Sequence, residues 1–557
     1  MKNYIDFKSA KCRDCYRCLK ACPVKAIRLT EHQARIINER CIQCGNCTRV
    51  CPQGAKNVHS ELDSVVNLLH SGRQVIASVA PSFISSFSLK SFEPMRSALI
   101  SLGFSDAEET AVGAAAVTEE YTKLLESGKY KNLITSSCAA VDRLIQLYYP
   151  EALKYLAPVD TPLVAHVKMI KSRCPEAAVV FVGPCIAKKR EADESHIIDY
   201  VLTFEELETL MRQNYMDFDG DSSENPPSQG ASARIYPIGG GIYRSMKRKV
   251  PGYEYLYAET TEKCKAVLGS IEQLENTFIE LNACEFGCIN GPCSAIKTEN
   301  AILGEVSVRR YAESGTDLPV STDGVDLEHI FPRIYGNART PTEDEIRSIL
   351  AKTGKNSPED ELNCGACGYS SCREKAWAVA NGFADENLCI PYMRSKAESV
   401  TTEVLRRMPF GIVVLNSSFC IESINRSAIN ILGISAFHPE GRMLFDFVSI
   451  PDFVIAQSSN SNILGKRTEL PGGKVVDLSV ILLKEHSRLL GIMKDVTEEE
   501  SYNEKLKQVQ EETYKVTDDV VKKQMRIAQE IASLLGETTA ETKVALLKLK
   551  GIMQDKG

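Results

Sequence analysis

Twenty cysteines, gathered into blocks along 557 residues, constrain this chain more than any other feature. Eight lie between Cys12 and Cys51, seven are spread from Cys138 to Cys293, four run from Cys364 to Cys389, and Cys420 stands alone. The first block reads Cys12-x2-Cys15-x2-Cys18-x3-Cys22-Pro23 and repeats as Cys41-x2-Cys44-x2-Cys47-x3-Cys51-Pro52. Three cysteines at this spacing turn a loop so that three thiolates face one 4Fe-4S cubane, while the fourth comes from the other run. The expected ligand sets are therefore Cys12, Cys15, Cys18 and Cys51 for one cluster, and Cys41, Cys44, Cys47 and Cys22 for the other. A zinc ribbon would show two CxxC pairs without the third cysteine and the Cys-Pro.

Thiols used as ligands need a reducing compartment. The opening residues, MKNYIDFKSA, lack the apolar stretch of an export signal, and no apolar run reaches the 18 or more residues of a membrane span. The reading is a cytoplasmic chain without membrane contact. A net charge of -7 and the absence of a Lys/Arg-dense tract speak against a nucleic-acid partner. With 43% hydrophobic and 25% charged residues, the length suggests several globular domains.

The middle block alternates β-rich runs at 74–81, 132–137 and 177–184 with helical stretches such as Glu119 to Ser127, an α/β pattern. A polar segment at 217–232 reads as a surface loop. Three separated segments each bring cysteine to a turn after an apolar stretch: TSSCAAV at 135–141, VGPCIAKKRE at 182–191 and NACEFGCING at 282–291. Together they offer Cys138, Cys185, Cys284 and Cys288 to one buried site. The third block, Cys364-x2-Cys367-x4-Cys372-x16-Cys389, suits either a 4Fe-4S cluster or structural zinc. Cys174, Cys264, Cys293 and Cys420 are left as neutral thiols, with Cys293 a candidate neighbour of the buried site.

A helix start is expected at Thr340 as N-cap, with Pro341 first in the helix, and a helical connector over Met393 to Arg407. Alternating strands at 411–415, 475–483 and 489–496 then make an α+β module. In the tail, Leu506, Val509, Thr513, Val516, Val520, Ile527, Ile531 and Leu534 recur at spacings of three and four, which fits a coiled coil. Gly536 is expected to end it, with Thr538 and Glu541 as a capping box for a last helix.

The doubled first block resembles two-cluster ferredoxins, the third block resembles the single-cluster module of corrinoid iron-sulfur proteins, and the middle segments resemble the three signatures of the FeFe hydrogenases, approximately TSCCPxW, MPCxxKxxE and ACxxGCxxGG. The last resemblance implies that Cys138, Cys185, Cys284 and Cys288 hold an H-cluster: a 4Fe-4S cubane bridged by Cys288 to a diiron subsite bearing CO, cyanide and a dithiolate. It also implies catalytic roles for Lys188 and Glu191, the Lys hydrogen-bonding a cyanide, and a proton path through Glu119 or Glu120. Ser137 departs from the family's cysteine; an alcohol relays protons poorly beside a thiol of pKa about 8.5. Ala139, Val141 and Gly183 replace Pro, Trp and Met, and the third motif ends in INGPC, so smaller side chains are expected around the pocket.

Residues 405–500 resemble a PAS sensor domain, on the Pro-x-Gly-Ile-x-Val strand, Asn425 and the closing Asp-Val-Thr-Glu. The expected domains are a two-cluster ferredoxin domain at 1–58, an α/β H-cluster domain at 59–338, a single 4Fe-4S domain at 339–395, a PAS domain at 396–500 and a coiled-coil tail at 501–557. That order resembles the sensory FeFe hydrogenases of anaerobes. The resemblance implies slow H2 oxidation, exchange of electrons with a carrier such as ferredoxin, a homodimer, and output to a separate kinase or phosphatase. The rival expectations are a metabolic ferredoxin-coupled hydrogenase and a non-catalytic 4Fe-4S protein without the diiron site.

Overall fold

The computed structural model describes residues 4–30, 33–218, 227–294, 300–322, 324–435, 438–483 and 487–554. It divides into two compact units, Met1–Met393 and Arg394–Gly557. No helix among the described residues is long and apolar enough to cross a membrane.

The first unit opens with the doubled cysteine run. Strands Ile5–Phe7 and Lys56–Val58 pair antiparallel, as do Ile27–Thr30 and Gln33–Ile36. Two short helices, Arg17–Ala21 and Asn46–Arg49, carry Cys18 and Cys47. The sequence repeat is also a backbone repeat: Asp14, Tyr16 and Lys25 have positive φ, and so do their counterparts Gln43, Gly45 and Gly54.

Two parallel sheets follow. The larger has the strand order Asp106–Glu109, Val75–Val79, Ala178–Gly183, Tyr200–Thr203; the smaller runs Glu254–Glu259, Thr277–Asn282, Asn132–Ile134. Strands Val75–Val79, Ala178–Gly183 and Thr277–Asn282 are buried at every residue, as parallel sheets covered on both faces require. Helix Ala111–Glu126 begins well before the expected start at Glu119, because its alanine-rich first half is itself packed into the core. The segment at 217–232 is more than a loop: Ser228–Gln229 pairs in parallel with Asp317–Leu318 and Ala231–Ile235 forms a 3-10 turn, while 219–226 lie outside the described residues.

Helix Glu343–Ala351 starts two positions later than expected. Thr342 is the N-cap: its Oγ1 accepts from Glu345 N–H at 3.3 Å and Glu345 Oε2 accepts from Thr342 N–H at 2.9 Å. These reciprocal bonds fix the helix start at Thr342. The connector helix, Ile390–Arg407, begins directly after Cys389 rather than at Met393.

The second unit is a five-stranded antiparallel sheet ordered Ile421–Ile424, Gly411–Asn416, Arg488–Asp495, Val475–Leu483, Ile463–Glu469, with helices Arg426–Leu432 and Asp452–Ser459. Its core includes Val413, Leu415, Phe453, Val476 and Met493. Asn425 ties the module together: Oδ1 accepts from Ile412 N–H and Ala428 N–H at 2.9 Å each, and Nδ2 donates to Phe410 O at 2.8 Å. The tail is one helix, Thr497–Gln554, running through Gly536 without the expected break. Glycine inside a helix costs only about 1 kcal/mol relative to Ala, too little to interrupt a helix of this length. The expected capping box also fails, since the backbone at Thr538 is helix interior.

Candidate metal centre

The parallel sheets deliver the middle cysteines to one place. Cys138 follows strand Asn132–Ile134 and caps helix Ala139–Tyr148; Cys185 follows Ala178–Gly183; Cys284 follows Thr277–Asn282, and Cys288 sits in the 3-10 turn Gly287–Asn290. Three of these cysteines thus leave carboxyl ends of parallel strands, where such sheets open a crevice. All four thiols line one cavity, joined there by Cys44 from the first block. Burial, helped by the neighbouring thiolates, pushes Cys138 up to about 11 and Cys284 well above its ordinary value. Four mutually repelling sulfurs gathered around one cavity are a costly arrangement without a metal, and a thiolate-bound iron-sulfur cluster matches that donor set.

The same test holds in the first block. Cys41, Cys44 and Cys47 are pushed up chiefly by burial, and Cys22 lies within electrostatic reach of all three and raises each further. Cys18 feels Cys51 and Cys15. Ala26 N–H donates to Cys22 Sγ at 3.2 Å and Ala55 N–H to Cys51 Sγ at 3.3 Å, repeating the register. In the third block, Lys355 Nζ donates to Cys389 Sγ at 3.3 Å, Lys375 feels both Cys389 and Cys367, Cys372 opens helix Cys372–Ala380, and Cys364 is exposed. Among the described residues no three His, Cys, Asp or Glu side chains close around a single ion.

A second cavity of about 90 Å³ adjoins Cys138 and Cys288 and is lined by Ser137, Lys188, Asn282 and Phe181. Lys188 Nζ lies 2.5 Å from Glu191 Oε2 and donates to Thr161 Oγ1 at 3.4 Å; Thr161 in turn donates to Glu191. Burial opposes the charge on Lys188, but the Glu191 carboxylate outweighs it and holds the ammonium above its ordinary value. Ser137 Oγ lies 3.4 Å from Tyr121 Oη, whose hydroxyl burial pushes up to about 12. Of the departures from the hydrogenase signatures, Ser137 alone lines this cavity. Gly183 does not enlarge it: a methyl group there would stand 2.5 Å from the Phe181 ring, which fills that side.

Glu119 and Glu120 are not brought to the cavity. Helix Ala111–Glu126 turns Val117 and Tyr121 inward, leaving Glu119 3.7 Å from Arg248 and Glu120 2.6 Å from Lys123 on the outer side. Two buried carboxyls missed from the sequence lie closer. Glu280 accepts from Gly240 N–H, Ile242 N–H and Asn282 Nδ2 at 3.0 Å each, and Asn282 lines both cavities. Burial lifts its carboxyl to about 7 against those donors. The signal was a charged residue inside the apolar strand TFIELN. Asp142, with neither oxygen partnered among the described residues, faces a separate cavity of about 440 Å³ with Asp160, Glu191 and His329.

The INGPC end of the third signature serves an interface. Arg49 donates to Asn290 O at 3.1 Å and to Asn290 Oδ1 at 2.9 Å, and Pro292 packs on Gly45. Gly45 has φ 77°, and a methyl group on it would stand 2.3 Å from Pro292 Cβ. Cys293 is buried beside this loop, its N–H donating to Pro184 O at 3.1 Å.

Residues 73–257 match the family described as iron only hydrogenase large subunit, C-terminal domain; residues 11–55 match the 4Fe-4S dicluster domain, and 360–391 match an Fe-S cluster family. The first match stops short of Cys284 and Cys288. Similar solved structures include an FeFe-hydrogenase from a study of stepwise H-cluster assembly, at 15% identity and TM-score 0.38, covering 49% of this chain and 99% of that one. An apo FeFe-hydrogenase from Chlamydomonas reinhardtii aligns at 14% identity and TM-score 0.39, covering 50% of this chain and 100% of that one. The PAS domain of nitrogen regulation protein NR(II) from Vibrio parahaemolyticus aligns at 17% identity and TM-score 0.15, covering 17% of this chain and 97% of that one. In chain order, then, the sequence carries segments that match a 4Fe-4S dicluster domain, the C-terminal domain of the iron only hydrogenase large subunit and an Fe-S cluster family.

Proposed function

We propose that this chain is a slow H2 or redox sensor in which the hydrogenase-type centre reports, through a PAS domain at 396–500 and a helical tail at 501–557, to a separate kinase or phosphatase. Cys138, Cys185, Cys284 and Cys288 would hold the H-cluster, whose diiron subsite supplies heterolytic cleavage of dihydrogen. The two sets in residues 12–51 and the set Cys364, Cys367, Cys372 and Cys389 would hold the three auxiliary 4Fe-4S clusters, with a soluble carrier such as ferredoxin as electron partner.

The observation that carries the slow-turnover reading is the lining of the cavity beside Ser137 and Lys188. Lys188, kept charged by Glu191, is the cation available there to an anionic ligand such as cyanide. The hydroxyls that follow inward, Ser137 and Tyr121, are both far too weak as acids to exchange protons quickly near neutrality. Glu280, lifted by burial to about 7, is bonded to Asn282, which lines the cavity. Among the described residues the cavity wall holds no carboxyl side chain, which supports slow proton exchange.

Dye-linked turnover of the matured, full-length protein tests this reading. The expected rate lies below the roughly 1 to 1,000 per second typical of enzymes, and a rate in the upper part of that range would favour a metabolic hydrogenase.

A further inference from the structure

The third cysteine block packs on the first. Gly368, with φ 89°, lies against helix Arg17–Ala21: a methyl group on it would stand 2.8 Å from Leu19 Cδ2 and 3.5 Å from the Lys20 backbone. Cys367 packs on the same apolar cluster as Cys22, Cys41 and Cys44. The Arg40 guanidinium, next to Cys41, stacks on Phe383 at 4.4 Å and on Trp377 and Tyr148 at 5.5 Å. Tyr369 is 2% exposed and lies within electrostatic reach of both Cys367 and Cys22. Its buried hydroxyl has no hydrogen-bond partner among the described residues. An O–H buried without an acceptor is costly, and a cluster sulfur is the acceptor this position would be given.

The Cys22 set has two further neighbours. Cys44 lines the cavity of the middle four thiols, and helices Arg17–Ala21 and Asn46–Arg49 join it to the Cys12 set. Each outer set has an exposed member, Cys15 in one and Cys364 in the other, whereas the Cys22 set has none.

We infer that the Cys22, Cys41, Cys44 and Cys47 set is a three-way electron junction, fed from the middle set at Cys44 and drained by two arms, one through the Cys12 set and one through Tyr369 to the Cys364 set. The inference rests on the cluster-ligand reading given above. An electron passing along either arm oxidises the junction cluster by one and reduces the receiving cluster by one, with no proton moved and no bond broken. The arms end at separate surfaces, near Cys15 and near Cys364, so a carrier and a sensing output can draw on one source.

Electron paramagnetic resonance of the reduced, reconstituted full-length chain tests the junction. The third-block signal is expected to be split and fast-relaxing through coupling to the Cys22 cluster, and the extra splitting on the Cys22 signal is expected to be lost in a Cys364→Ala/Cys367→Ala variant. Tyr369→Phe, which removes only the hydroxyl, is expected to keep the coupling and to lower the reduction potential of a cluster beside it, read by redox titration. A third-block cluster that is present but magnetically isolated overturns the junction while leaving the ligand reading intact. Absence of any cluster on residues 364–389 overturns both, and unchanged potentials in Tyr369→Phe remove Tyr369 from the arm.

Discussion

A serine standing where the hydrogenase signature has a thiol alters what the cavity wall can do with a proton. If Ser137 limits turnover, Ser137→Cys is expected to raise the dye-linked rate about tenfold or more, at the low end of or below the 10²–10⁴ range of general acid-base contributions; an unchanged rate would contradict this account of the position. Glu280 gives a second residue-scale prediction. Its folded carboxyl, at about 7, lies above the ordinary 4.5, so the folded state holds the proton more tightly. The stability it contributes is present below 4.5 and lost as pH rises through about 7. In cluster-free protein, Glu280→Gln is expected to flatten a fall on the order of 3 kcal/mol across that window, at 1.36 kcal/mol per pKa unit. Denaturant titrations at several pH values read it, and equal slopes in both proteins would contradict it. Ser137 and Lys188 were legible in the sequence because motif spacing fixes them. Glu280 and Asp142 were not, since burial and lost partners arise only when distant elements pack.

Elements explain why the ligands converge. Strands Asn132–Ile134, Ala178–Gly183 and Thr277–Asn282 were recognisable, the first two as β-rich runs and the third as the apolar stretch before Cys284; the first and third pair in one parallel sheet, the second lies in the other, and the turns that follow them meet at one cavity. The strands Ile421–Ile424 and Ile463–Glu469 escaped notice because they lie at the sheet's edges, where exposed polar residues blur the alternation. The displaced start at Thr342 and the unbroken helix at Gly536 have one lesson: local signals for helix ends are worth about 1 kcal/mol and yield to their neighbours. Gly45 joins two elements under both strain and contact. Gly45→Ala is expected to destabilise the first unit by about 1–3 kcal/mol, measured by thermal unfolding of the reconstituted protein; an unchanged midpoint would mean that Pro292 and the loop yield freely.

At the scale of the whole molecule, four cysteine sets share the first unit, and the sheet module and long helix form the second. The helix leaves Leu506, Val509, Val516, Val520, Ile527, Ile531 and Leu534 exposed at heptad-like spacing, a stripe that a second copy of the chain would bury. Val516→Glu with Val520→Glu is expected to reduce a dimer to monomer in sedimentation; a full-length chain already monomeric would contradict a coiled-coil tail. The tail's stripe was legible because period alone marks it, whereas the docking of the third block on the first was not, because Gly368 and Tyr369 acquire meaning only against Leu19 and Cys22. The central claim is that Cys288 joins a cubane to a second metal site in the cavity beside Ser137 and Lys188. Infrared spectroscopy of protein matured with the hydrogenase accessory enzymes tests it most directly: the account predicts bands of metal-bound CO and cyanide, and a full complement of iron-sulfur cubanes without those bands would contradict it.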